Sequence, residues 1–177
     1  MKEGREIPLA GGQQTPGVVR IGDTVRRPMG PNAPFVHELL RYLEGVGFDG
    51  APRLFGIDER GREILSFVEG EVHHDHDKYR PSEAKLTRVA ALIRRFHQAT
   101  AGSALSADAE IVAHNELGPH NTVFCGDEPV AFIDEIHADL RRARANHERA
   151  GRPKARNIFQ EMVAWMDAHA NELKKLV

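Results

Sequence analysis

The chain has 177 residues with a formal net charge of −2, 41% hydrophobic and 28% charged residues, and a single cysteine. Near-neutral charge leaves no basic field for nucleic acid, no apolar run reaches membrane-spanning length, and one cysteine excludes an internal disulfide. The length suits one domain or two small lobes, and the expected setting is a reducing cytoplasm without a signal peptide.

Taken in chain order, the first feature is a glycine-rich stretch, Gly11-Gly12-Gln13-Gln14-Thr15-Pro16-Gly17, followed by Val18-Val19-Arg20-Ile21. Such a stretch before a strand can cover phosphates, although its spacing is not a dinucleotide fingerprint and it reads equally as a flexible loop. A Gly22-Asp23 turn leads into Thr24-Val25-Arg26-Arg27 before Pro28, which predicts a β-hairpin. Phe35, Leu39, Leu40, Leu43 and Val46 recur at helical spacing across 33–47, and Gly45 and Gly47 end the helix. Two further strands are expected, Arg53–Ile57 and Glu63–Val68, joined by the turn Asp58-Glu59-Arg60-Gly61.

The segment 72–80 is polar, and its cluster His73-His74-Asp75-His76-Asp77 lacks the spacing of a closed metal site, so it reads as a solvated linker. Ser82 is the expected N-cap of a helix running to about Thr100, with Leu86, Val89, Ala90, Ile93, Phe96 and His97 as its buried stripe. A second hairpin is expected from Thr122-Val123-Phe124-Cys125, the turn Gly126-Asp127-Glu128-Pro129, and Val130-Ala131-Phe132-Ile133, with Cys125 as a small buried hydrophobe. Helix is then expected through Arg144 and again over 156–176, where Trp165, His169 and Leu173 lie on the apolar side.

The densest chemistry lies between His114 and Asp134. It reads His-Asn-Glu-Leu-Gly-Pro-His-Asn, then the second hairpin, then Asp. A carboxylate, an Asn five positions later and an Asp after the next strand are the parts that phosphoryl transfer of the kinase type needs. Asp134 and Asn121 offer hard oxygen atoms suited to Mg²⁺, against plainer readings as a helix N-cap and a turn-forming Asn.

His114, Leu117, Asn121, Ile133 and Asp134 stand in register with the loop of the aminoglycoside/choline phosphotransferase family, and the chain resembles a shortened, divergent member of it. The resemblance implies an α+β, protein-kinase-like fold: a small N-terminal antiparallel sheet lobe over 1–70 and a reduced helical C-terminal lobe over 71–177. It implies an ATP-dependent phosphotransferase that moves the γ-phosphate to a hydroxyl of a small molecule with Mg²⁺ and ATP as cofactors. Glu116 would be the catalytic carboxylate, Asn121 and Asp134 the metal ligands, and His114 a structural support of the loop. Arg26 or Arg27 would pair with the phosphates, and Phe67 and Glu69 would lie at the adenine-gripping hinge.

The departures from the family pattern are specific. Glu116 stands where the family has Asp, Ile136 where a second Asp is common, and Arg where the sheet usually carries Lys. They keep a second reading open, a pseudokinase that binds nucleotide or a partner without transferring phosphate. Strand alternation favours Arg27 as the inward residue, and the family's spacing to the proline favours Arg26. Glu38 on the first helix is either the partner of that arginine or an exposed helix residue. The reduced C-terminal region would leave a helix open to self-association.

Overall fold

A computed structural model describes residues 4–9, 15–74, 78–106, 112 and 118–133. The described elements are β1 (Ile7–Pro8), β2 (Val19–Ile21), β3 (Thr24–Pro28), α1 (Ala33–Gly45), β4 (Leu54–Ile57), β5 (Arg62–Ser66), α2 (Glu83–Thr100), β6 (Thr122–Cys125) and β7 (Glu128–Phe132), with a 3₁₀ turn at Ala104–Ser106. The helices expected beyond Asp134 lie outside the described residues.

Strands β1 to β5 form one antiparallel sheet in the order β1-β2-β3-β5-β4. The expected first hairpin is present. Gly22 adopts φ 58° at its tip, where a side chain would be strained, and Thr24 Oγ1 donates to the Ile21 carbonyl at 2.8 Å. A two-residue strand was not expected at Ile7–Pro8, because so short a run carries no periodic signal. Leu9 N–H donates to Val18 O at 3.1 Å, so the glycine-rich stretch belongs to the connection of an antiparallel pair. Residues 10–14 of that connection lie outside the described residues.

Helix α1 begins with Pro34 in its first turn, where a missing N–H costs nothing. It ends in a Schellman motif. Phe48 N–H donates to Leu43 O at 2.8 Å, Gly47 N–H donates to Glu44 O at 3.1 Å, and Gly47 takes φ 76°. Because the chain turns away there, Val46 is 50% exposed, against the expectation that it belongs to the buried stripe. Val36 and His37 are buried instead. Helix α2 starts at the expected cap: Ser82 Oγ accepts from Lys85 N–H at 3.2 Å.

Two apolar clusters meet along the buried face of α1. Val36 and Leu40 pack on Leu65 of the sheet, with Val25 and Leu54 around them. Leu39 and Leu43 pack on Val89, Leu92, Ile93 and Phe96 of α2 and on Phe124 and Phe132 of the second hairpin. Each such fully buried side chain contributes about 1.5–3 kcal/mol, so α1 is the element through which the sheet and the hairpin share a core.

Backbone hydrogen bonds join the strands of the second hairpin to the rest of the described residues. Glu71 and Phe124 exchange both hydrogen bonds at 2.8 Å, and Phe132 N–H donates to Gly50 O at 2.9 Å. Cys125, at the end of β6 beside the Gly126-Asp127 turn, is exposed rather than buried as expected.

Candidate functional site

Cross-strand partners share a face of a sheet. Arg20, Val25 and Leu65 are in register, as are Arg27 and Glu63, and Val25 and Leu65 pack beneath α1. Arg27 therefore lies on the α1 face, as alternation predicted. Arg26 lies on the other, where its Nη1 donates to Thr24 Oγ1 at 2.6 Å and its Nε is 3.8 Å from Asp58 Oδ2.

Of the two readings of Glu38, the exposed helix residue is the one found, and a carboxylate paired with Arg27 comes from elsewhere. It is Glu63, directly opposite on β5. Arg27 Nε donates to Glu63 Oε2 at 2.8 Å, and Nη2 lies 2.8 Å from the same oxygen. His37 Nε2 reaches Glu63 Oε1 at 2.9 Å, and Glu63 is 1% exposed. A carboxylate beside a guanidinium accepts only, so His37 Nε2 is the donor in this contact. Residue 37 rather than 38 faces the sheet because one helical step turns the side chain by about 100°. The signal for Glu63 was present: a Glu in phase with Leu65 on the covered face of a strand must be paired.

Arg27 lines a cleft whose other walls are Val36 and Leu40 of α1, the segment Gly50-Ala51-Pro52, Phe96 of α2 and Phe132 of β7. Among the described residues that line the cleft, Arg27 carries the only charged side chain. Phe132 stands two residues before Asp134. In the hairpin ladder Thr122 pairs with Phe132, and Ile133 N–H then donates to Asn121 O at 2.9 Å. The register thus sets Asn121, which is 3% exposed, beside the backbone that leads into Asp134. His114, Glu116 and Asp134 lie outside the described residues. Just upstream of that loop, Thr100 is fully buried and its Oγ1 accepts from Val112 N–H at 3.3 Å.

The expected hinge follows β5, which stops at Ser66 rather than continuing to Val68. Phe67 N–H donates to Asp23 O at 2.9 Å, and the Arg20 guanidinium lies 3.6 Å above the Phe67 ring. Glu69 is largely exposed, with Arg20 Nη1 at 4.0 Å. Glu71 is bonded to Phe124 as above, and among the described residues no hydrogen bond engages the backbone of Val68 or Glu69.

His73 corrects the reading of its cluster as a solvated linker. Its ring stacks on Tyr79 at 4.8 Å and Phe124 at 5.4 Å, with Lys85 Nζ 3.4 Å from its Nε2. Burial, then the Lys85 charge, push the His73 pKa down; burial and Asp127 push Tyr79 up to about 12. Lys85 is itself buried, 3.3 Å from Gly126 O and 4.2 Å from the Phe124 ring centroid. Residues 75–77 of the cluster lie outside the described residues. Among the described residues no group of three His, Cys, Asp or Glu side chains could hold a metal, and no helix is long and apolar enough to cross a membrane.

No family model matches the chain. Over 161 residues it is 37% identical to the trifolitoxin immunity protein of Rhizobium leguminosarum bv. trifolii, an alignment covering 79% of this chain and 60% of that protein. The chain therefore spans about 60% of the length of the curated relative it matches. Its structure is similar to that of APH(2")-IIa in a ternary complex with streptomycin and ATP, with a TM-score of 0.53 and 14% identity, covering 76% of this chain and 67% of that one. At that identity the likeness establishes fold, and the fold is kinase-like: an antiparallel sheet with helices, as the sequence implied.

Proposed function

We propose that the chain is a kinase-fold phosphotransferase of a self-protection system, moving the γ-phosphate of ATP to a hydroxyl of a toxic small molecule. The observation that carries this reading is the shared cleft. Arg27 lines one wall, and Phe132 lines another, two residues before Asp134 and in ladder register with the strand that follows Asn121. On this reading a cation for the phosphates comes from the sheet, and hard oxygen donors for Mg²⁺ come from the hairpin that borders the same cleft. Two names support the substrate class: the sequence relative is an immunity protein, and the structural neighbour is bound to streptomycin and ATP.

In this reading Asn121 and Asp134 hold Mg²⁺, which would neutralise charge on the phosphates. The amide oxygen of Asn121 and the carboxylate of Asp134 suit that hard cation chemically. Arg27 anchors the phosphate chain, residues 68–69 offer backbone groups to the base, and Phe67 under Arg20 forms the hinge wall. Arg26, on the opposite face of the sheet, takes no part. Glu116 accepts the hydrogen bond of the incoming hydroxyl while His114 supports its loop.

Glu116 also motivates a second reading, a nucleotide-binding module without transfer. Its side chain is one methylene longer than the family's Asp, and a displacement of about 1 Å can cost on the order of a hundredfold in rate. Calorimetric titration of ATP with and without Mg²⁺ tests both readings. Mg²⁺-dependent binding that Asp134→Ala and Asn121→Ala abolish is the expected result, and no binding at millimolar ATP would overturn both. Glu116→Ala then separates them, because it should abolish transfer to a hydroxyl acceptor in an enzyme and leave a sensor's ATP affinity unchanged.

A further inference from the structure

The buried trio that ends at the cleft is not the pairing the sequence suggested, and its arrangement has a consequence. Arg27 presents two nitrogens to a single oxygen of Glu63, while the other carboxylate oxygen is taken by His37 of α1. The side chain of Glu63 is 2% exposed and that of Arg27 12% exposed, so water competes weakly for either contact. A guanidinium is planar, and holding it through two of its nitrogens fixes the plane as well as the position of its charge. The carboxylate is fixed in turn, because His37 prevents it from rotating about its last bond.

We propose that Glu63 and His37 are positioning residues for Arg27, a strand-to-helix relay that sets the anion-facing guanidinium in the cleft and makes its placement depend on the seating of α1. This inference rests on the nucleotide reading above and goes beyond it in assigning the orienting group to β5 and its second support to a helix imidazole. The same helix carries Val36 and Leu40 into the cleft wall and Leu39 and Leu43 into the core shared with α2. A shift of α1 therefore moves the relay and the wall together.

The test is calorimetric titration of Mg·ATP and of AMP into the full chain and into Glu63→Gln, His37→Leu and His37→Gln, with ligand-free melting alongside. Glu63→Gln and His37→Leu should weaken ATP by about tenfold or more, the worth of one charge-assisted contact, and leave AMP unchanged because it lacks the outer phosphates. His37→Gln keeps a donor near the position of Nε2 and should retain the ATP affinity of the parent chain while melting lower. If Glu63→Gln does not fold, the His37→Leu and His37→Gln pair carries the same comparison. ATP affinity unchanged in Glu63→Gln or, where that variant does not fold, in His37→Leu, or ATP and AMP weakened alike, would overturn the relay alone. Absence of ATP binding by the parent chain would overturn the nucleotide reading and the relay with it.

Discussion

Gly70 presses against the backbone of Phe124 so closely that a Cβ there would stand 2.6 Å from the Phe124 carbonyl oxygen. Its φ of 142° is one that L side chains rarely adopt. The approach lets the next residue, Glu71, exchange both backbone hydrogen bonds with Phe124, which ties the end of the hinge to the second hairpin. Gly70→Ala should therefore cost about 2–4 kcal/mol through strain and contact combined. Urea denaturation checks it. Gly102→Ala is the comparison: φ is 68° but nothing lies within 4 Å, so strain alone should cost about 1 kcal/mol. Equal losses at the two positions would mean that the close approach is not what Gly70 provides.

Ser82→Ala should lower stability by about 1 kcal/mol, the usual worth of an N-cap hydroxyl. In a chain of this size that corresponds to a fall in Tm of roughly 2–4 °C. The Lys85 N–H would keep only water as a partner, and nothing in the cleft lies near it. ATP affinity should be unchanged, so a calorimetric titration beside the melting curve separates a capping loss from a site effect.

The elements were legible because each carried a local signal: the Gly22-Asp23 tip, the Gly47 stop of α1, the Asp58-Glu59-Arg60-Gly61 turn, the Ser82 cap and the apolar run of β7. The kinase-like fold followed from their order and from the His114–Asp134 pattern. What failed to show was partner choice. Glu63, His37 and Lys85 are polar residues in phase with apolar ones, a visible pattern, but which groups answer them is decided by how α1 and the hairpin are set against the sheet. Val46 and Cys125 misled for the same reason. Both are apolar residues in register with a buried face, yet each lies where its element ends and the chain turns outward. His73 looked solvated inside a polar run, and only the placement of Tyr79 and Phe124 around it shows otherwise.

Lys85 offers a test of how a buried ammonium is held. Its side chain is 9% exposed, and its charge meets the Phe124 face, the Gly126 carbonyl and Asp127 at 3.7 Å. The attraction to ring and oxygen is offset by the cost of leaving water, so Lys85→Met should change stability by no more than about 1 kcal/mol. Lys85→Ala removes the packing stem as well and should cost about 2–4 kcal/mol. A loss on Lys85→Met as large as on Lys85→Ala would show that the charge, not the stem, holds the hairpin to α2.

The same cluster predicts how stability depends on pH. The His73 pKa is lowered first by burial and second by Lys85, with His74 acting in the same direction and Glu71 against it. A histidine whose folded pKa lies below its unfolded value of about 6.5 binds fewer protons when folded, so unfolding takes up a proton in the interval between the two. Stability from His73 is thus fully present above pH 6.5 and is lost as the pH falls from there toward the folded pKa. His97, lowered by burial alone, adds a slope of the same sign. Urea midpoints measured between pH 5 and 7.5 should fall toward acid, and His73→Gln should flatten the curve while His97 maintains the remainder. Lys85→Met should raise the His73 pKa toward its ordinary value, visible as a shift of the ring C–H resonance in an NMR titration. A His73 resonance titrating at the ordinary value in the parent chain would mean that the stacked, cation-flanked geometry does not govern its protonation.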